Sequence, residues 1–143
     1  MRRVVIVMIA TLLCAAAAGA QFVGPGGTIP AVSGSKTGAN GTVWRSDVSV
    51  LNLGDSDTEI VLVLFPEIRP AGPVFEIKHF DLIPVTTGQQ MTFRNVVLST
   101  FDERNKNGAL TVFATDLTAE IVVASKTSTA NPSPTGGTFA LSV

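Results

Sequence analysis

Trp44-Arg45-Ser46-Asp47-Val48-Ser49-Val50-Leu51-Asn52 sets the fold class, because its side chains change character with a period of two. Trp44, Val48 and Val50 share one face, and Arg45, Asp47 and Ser49 share the other. That alternation is the signature of a half-buried antiparallel strand with its tryptophan turned inward. Asn52, Gly54 and the stretch from Asp55 to Asp57 then supply turn residues. Residues 58–65 follow and are apolar on both faces from Ile60 onward, as expected of a central strand that is covered on both sides or lies at a partner surface. Pro66, Pro70, Gly72 and Pro73 end it in a rigid loop.

Working outward, residues 28–32 read as a short edge strand, a place that tolerates Pro30. Asn40-Gly41 is a strong turn dipeptide, and that reading accounts for it better than its formal membership of a glycosylation sequon with Thr42. Residues 74–83 resume strand character. Their inward phase moves from Phe75 and Ile77 to Phe80 and Leu82, so one extra residue near Lys78-His79 predicts a β-bulge. Pro84 and Gly88 bracket the next turn, and Met91 and Phe93 alternate again. Phe93, Val97 and Phe101 are spaced by four, which predicts a single helical turn. A charged loop over 102–108 closes on Asn107-Gly108, read as a hairpin signal. Residues 109–114 and 118–127 read as strands around a tight turn at Asp116, 128–137 as a loop, and 138–143 as a closing strand. Seven to eight short strands without a long helix predict an all-β domain: a single antiparallel β-sandwich with immunoglobulin-like or Greek-key connections. A small barrel is the alternative.

The amino terminus predicts export. Arg2 and Arg3 precede an apolar run over residues 4–13, and Ala18-Gly19-Ala20 fits the small-x-small rule for cleavage before Gln21. Residues 1–20 are therefore read as a signal peptide, 21–27 as a glycine-rich flexible leader and 28–143 as the β-sandwich domain. The expected location is secreted, periplasmic or at the cell surface. The one cysteine, Cys14, falls in the apolar run and follows Leu13 rather than the small residue that lipidation wants, so it is expected to leave with the signal. The processed chain then has no thiol for catalysis or for metal ligation. No later apolar run approaches the roughly 20 residues of a membrane-spanning helix.

Loss of Arg2 and Arg3 leaves eight bases against eleven acids. A mildly acidic domain without basic clusters has no electrostatic footprint for nucleic acid. His79 is the only histidine, so a Ser-His-Asp triad must use it. Asp81 stands nearby, but no Gly-x-Ser-x-Gly elbow exists, and an outward strand histidine is the simpler reading. Glu67 and Glu76 flank a loop without marking a cleft of the kind glycoside hydrolysis needs. Asp55, Asp57 and Glu59, with Asp47 in reserve, form an acidic hairpin of the type that can hold calcium in extracellular sandwiches. Residues 103–108 imitate the start of an EF-hand loop, but Glu103 stands where Asp is wanted and Ala114 where the closing Glu is needed. Sugar stacking is disfavoured by a single, inward Trp and the absence of Tyr. No catalytic, cofactor-binding or metal residue is assigned.

The Trp44-to-Asn52 strand resembles a family of bacterial secreted β-sandwich modules that open with Trp-Arg-Ser/Thr-Asp and end this strand in Asn. The resemblance continues at Gly108-Ala109-Leu110, at Val123-Ala124-Ser125-Lys126-Thr127 and at Gly137-Thr138-Phe139. It implies the fold and the exported location, and no chemistry. The sequence is thus read as a non-enzymatic exported module for protein binding, or for a structural or adhesive role at the cell envelope or outside it. Partners are expected to be proteins, reached by strand addition at the edges formed by residues 28–32 and 138–143. A calcium-stabilised adhesion domain, and more remotely a hydrolase built on His79, are the alternatives.

Overall fold

The decisive stretch forms β3 (Val43–Asn52), with Ser46, Val48, Val50 and Asn52 buried on its even face. This is described by a computed structural model covering residues 23–67, 77–130 and 138–142. The expected signal peptide and its Cys14, the strand start at 74–76 with Phe75 and Glu76, and most of the expected loop over 128–137 lie outside the described residues. Around β3 stand β1 (Val23–Gly24), β2 (Gly26–Thr37), β4 (Thr58–Pro66), β5 (Lys78–Val85), β6 (Gln90–Phe93), β7 (Lys106–Ala114), β8 (Ile121–Ala130) and β9 (Thr138–Ser142). One short helix, α1 (Val96–Ser99), sits between β6 and β7 at the predicted helical turn.

Every strand pair is antiparallel. The hydrogen-bonded order is β1-β8-β3-β2-β7-β4-β5, with β6 also on β3 and β9 also on β8. The path does not close on itself, so the barrel alternative is not what the chain adopts. β2 is the corner of the path. From Gly26 to Gly34 it pairs with β7, and from Gly34 to Thr37 it pairs with β3. The change of partner occurs at a bulge where Ser35 takes a left-handed φ of 55°. A side chain at Gly34 would drive its Cβ to 2.6 Å from Val97 Cγ1, so only glycine lets β2 turn beneath α1.

The corner lets two ladders face each other. The even-numbered residues of β4 and β7 (Ile60, Leu62, Leu64, Leu110, Val112 and Ala114) point to the same side as register neighbours. They meet Val48 and Val50 of β3 and Ile121 of β8 in one buried cluster. Val96, Val97 and Phe101 plug it from the α1 side, with Ile29 and Val32 from β2 and Val85 from β5. Burying each such side chain contributes about 1.5–3 kcal/mol, the main favourable term.

Several expectations need correction. Residues 28–32 are not an edge strand. They belong to the long β2 and pair with β7, and Pro30 fits because the ladder skips between Ile29 and Val32, forming a bulge that needs no proline N–H. Residues 23–27 are not a free leader throughout, because Val23 pairs with Val122 and Gly26 with Phe113. Asn107-Gly108 is not a turn but the opening of β7; a Cβ at Gly108 would sit 2.5 Å from the Phe65 carbonyl oxygen, so glycine is there for close strand approach. The β5 bulge exists, but it falls between the pairs Ile60–Ile83 and Leu62–Phe80, later than Lys78-His79. Strands number nine among the described residues: Met91 and Phe93 fall in β6 as their alternation predicts, and the addition is β1, whose two residues are too few to show a period. Trp44 keeps the inward parity of β3 but lies beyond the core, half-buried against the β2–β3 turn at Gly38.

These positions predict unequal costs. Leu62→Ala empties a fully buried site at the centre and is expected to lose about 2–5 kcal/mol. Trp44→Ala is expected to lose less, about 1–2 kcal/mol, because its ring already meets water. Urea denaturation of the two variants measures both; a larger loss for the tryptophan would place it in the core instead.

Candidate interaction surfaces

Three polar residues of the Trp-Arg-Ser-Asp…Asn strand, Ser46, Asp47 and Asn52, hold backbone groups, while Ser49 Oγ shares a hydrogen bond with Thr92 Oγ1 at 3.0 Å. Ser46 Oγ accepts the Ser33 N–H at 2.9 Å and shares a hydrogen bond with Thr127 Oγ1 at 2.6 Å, tying β2 and β8 to β3. Asp47 Oδ1 accepts the Asn95 N–H at 2.8 Å, which fixes the start of α1. Asn95 is left-handed there, with φ 47°, and its Nδ2 donates to Ser35 Oγ at 3.1 Å. Two strained residues, each costing about 1–2 kcal/mol of backbone energy, thus support one another.

Asn52 does the most. Its buried Nδ2 donates to the Ser56 carbonyl at 2.8 Å and to the Val85 carbonyl at 3.1 Å, while its Oδ1 accepts the Gly54 N–H at 3.0 Å. Its backbone N–H donates to Gln89 and its carbonyl accepts from Gly88, and the next residue, Leu53, donates to Glu120. One asparagine therefore gathers the turns over 53–57, 86–89 and 115–120 at one end of the molecule. Asp57 Oδ1 adds a further tie by accepting the Thr87 N–H at 2.9 Å.

That end carries Asp55, Asp57, Glu59, Asp116 and Glu120, and its three turns contain no lysine or arginine. Thr118 donates to Asp116 Oδ1 from its backbone N–H at 2.8 Å and from its hydroxyl at 2.7 Å, holding that carboxyl below its ordinary range. Leu117, at the tip of the same turn, is 82% exposed, and Leu53 beside Glu120 is 49% exposed. Asp55, Asp57 and Glu59 stay in this region, but among the described residues no three histidine, cysteine or carboxylate side chains converge as a metal site. Asp57 is engaged by Thr87, and Asp47 faces α1 instead.

The opposite end mixes charges, with Glu67, Asp102 and Glu103 among its bases. Lys36, Arg45, Lys78, Arg104 and Lys106 stand at the far ends of their strands or in the adjoining loop. Glu103, with a side chain only 10% exposed, lies between two of them: Lys78 Nζ is 2.6 Å and Lys106 Nζ 2.7 Å from its carboxylate. Hydrogen bonds from Lys106 and then Lys78 hold its carboxyl below the usual range, against the opposing effect of burial. Lys36 pairs more loosely with Glu67, at 3.7 Å. The loop is shaped by Asp102 and Asn105, both left-handed, and Asn105 ties back to β2 by donating its N–H to the Gly34 carbonyl and accepting the Thr37 N–H.

A third surface is the outer side of β4 and β7. Val61 stands opposite Phe113, Val63 opposite Thr111, and Phe65 opposite Ala109. Phe113 is 40% exposed and the three β4 residues are half-buried. The outer side of β4 is thus apolar and half-buried beside an exposed Phe113, as its continuous hydrophobicity predicts. His79 is exposed on β5 opposite Val63, at the border of this face, and the Asp81 side chain lies outside the described residues.

Sequence reasoning missed the Asn52 hub, the Glu103 clasp and the gathering of acids at one end. The last was legible in principle, since the acids of 55–59 and 116–120 sit in turns that successive antiparallel strands deliver to one end. The Glu103 clasp joins side chains distant in the chain, and no local spacing announces it.

Two measurements test the polar joints. Asn52→Ala leaves the buried Val85 carbonyl, the part-buried Ser56 carbonyl and the Gly54 N–H without their partner, so a loss of about 1–3 kcal/mol is expected by chemical denaturation; a loss within about 0.5 kcal/mol would remove Asn52 as the hub. Because the folded carboxyl of Glu103 is depressed, its contribution is complete above its unfolded value of 4.5 and disappears as pH falls through the folded value. Thermal melts of wild type and Glu103→Gln should therefore differ by the equivalent of about 1–2 kcal/mol at neutral pH and converge in stronger acid.

No family model matches the chain, and no curated protein matches it in sequence. Among solved structures, it is similar to the Anabaena sensory rhodopsin transducer at 15% identity and a TM-score of 0.50, over 75% of this chain and 91% of that one. It is also similar to Thermotoga maritima 1070 at 13% identity and a TM-score of 0.43, over 87% of this chain and 93% of that one. The first likeness concerns fold alone and agrees with an all-β chain.

Proposed function

We propose that this chain is an exported, non-enzymatic binding module that engages a partner protein through the outer face of β4 and β7. The observation that carries the reading is the apolar row of exposed Phe113 and half-buried Val61, Val63 and Phe65, on a strand pair whose other face lines the core. A contiguous apolar patch on a sheet is characteristic of protein interaction sites. The basic-then-apolar amino terminus supports export, and the resemblance of the Trp44-to-Asn52 strand to secreted modules supports an envelope or extracellular setting. Ser46, Asp47 and Asn52 of that strand hold backbone groups, which is consistent with a structural motif rather than a reactive one.

Strand addition is the second reading, favoured at β9, which pairs with β8 alone among the described residues. β5 is also paired on one side only, but Pro84, the bulge after Phe80 and Lys78 are the devices that blunt an edge.

Val63→Glu separates the face from the fold. Val63 points away from the core, so the melting temperature is expected to stay within about 4 °C of wild type, equivalent to under 1 kcal/mol. Partner capture from envelope extract, quantified against wild type, is expected to fall about tenfold. Undiminished capture of the same proteins by the variant would show that the face does not make the contact.

A further inference from the structure

We propose that the processed chain completes the outer edge of β8 with two of its own segments laid end to end, Gln21-Phe22 from one side and Val143 from the other. The proposal rests on the export reading, since it requires the leader to be cut before Gln21.

The observation is one of register. β8 gives one edge to β3 from Ile121 to Thr129. Its other edge is shared, with β1 on Ile121 and Val122 and β9 on Lys126 to Ala130. Among the described residues, no strand pairs with Val123, Ala124 and Ser125 on that edge. β1 and β9 are both antiparallel to β8, so they run in one direction and the end of β9 points at the start of β1. Counted backward from Val23, which stands opposite Val122, the register assigns Phe22 to Val123, Gln21 to Ala124 and Ala20 to Ser125. Counted forward from Ser142, which stands opposite Lys126, it assigns Val143 to Ser125. Phe22, Gln21 and Val143 lie outside the described residues, and their number matches the three open positions.

Ala20 and Val143 therefore contend for one place. A cut before Gln21 removes the contender, and the small-x-small rule selects that cut without reference to any pairing. The side-chain pattern agrees. Ile121 belongs to the core and Val123 packs against it, so the odd positions of β8 face inward. The apolar Phe22 and Val143 fall to odd positions, and the polar Gln21 falls to the even one between them. The period of two thus runs unbroken from β9 to β1 across the gap in the chain. An open run of backbone groups on a sheet edge invites pairing with other chains. The cut that frees the place opposite Ser125 is also the step that seals this edge.

Engineered disulfides in the protein as it accumulates in the cell test the proposal. Once Cys14 has left, introduced cysteines have no competitor. Phe22→Cys with Val123→Cys, and Val143→Cys with Ser125→Cys, put Cα atoms about 4.5–5.5 Å apart, within disulfide reach. The exchanged pairs, Phe22→Cys with Ser125→Cys and Val143→Cys with Val123→Cys, are about 7–8 Å apart. The first two are expected to give at least about fivefold more intramolecular disulfide than the exchanged pairs, and equal yields overturn the proposal. Insertion of Glu-Gln-Glu between Ala20 and Gln21 leaves three residues ahead of Gln21 after the same cut. It is expected to lower the yield of the Val143→Cys, Ser125→Cys pair at least about threefold, and an unchanged yield overturns the proposal. Hydrogen exchange reads the same edge with no substitution. The amides among 123–125 directed away from β3 are expected to exchange at least about tenfold more slowly than that of exposed Leu117; equal rates overturn the proposal. Intact mass separates the two readings. A protein that begins elsewhere than Gln21 fails the expected cut, and the proposal with it. One that begins at Gln21 and shows no preference for the in-register pairs fails the proposal alone and leaves export standing.

Discussion

β2 gives its backbone to β7 along most of its length and to β3 over its last residues, and this change of partner makes the core possible. Without it, the ladders containing β3 and β4 would have no hydrogen-bonded corner to bring their apolar faces together. The corner needs Ser35 in a left-handed conformation and needs Gly34 bare beneath Val97. Those demands are local costs of about 1–2 kcal/mol, offset by a cluster that includes Val48, Val50, Ile60, Leu62, Leu64, Leu110 and Val112, all essentially without solvent contact. The short helix α1 is part of the same solution, because its Val96 and Val97 close the space left where the two ladders diverge.

The polar residues of β3 then have a common explanation. Ser46, Asp47 and Asn52 stand at three levels of one strand, and each reaches a backbone group that the corner or a turn leaves without a ladder partner. A buried unpaired N–H or carbonyl costs about 1–3 kcal/mol, so these side chains protect stability where the sheet is irregular. Leu or Val at position 52 would fill the volume but leave the Ser56 and Val85 carbonyls dry. This is why a strand with such a distinctive polar pattern implies a fold more strongly than a reaction.

Sequence legibility followed the range of the forces. β3, β4, the bulged β5, the helical turn and the Asp116 turn were legible because side-chain period and turn chemistry are local. β2 was not, since its status as an interior strand depends on which distant segments pair with it, and Pro30 argued for an edge until the bulge removed the need for its N–H. Asn107-Gly108 misled for a related reason: its glycine answers to the Phe65 carbonyl across the sheet, not to a turn. The apolar outer face of β4 was half legible. Continuous hydrophobicity from Ile60 onward gave either double coverage or a partner surface, and what the local pattern could not give was the half-burial of Val61, Val63 and Phe65 beside an exposed Phe113.

The gathering of acids comes from the same antiparallel order that builds the core. Each hairpin or crossover returns the chain to one end or the other, so the acids in the turns after β3 and β7 gather at one end, while the bases near the starts of β5 and β7 meet acids at the other. Mutual repulsion among the acids at one end is destabilising in isolation, and Asn52, Thr87 and Thr118 counter it by fixing the turns through hydrogen bonds rather than through bases. A cation placed within the turns would have neutralised them more directly. At the far end the same problem is solved by ion pairs, with Lys78 and Lys106 clasping Glu103.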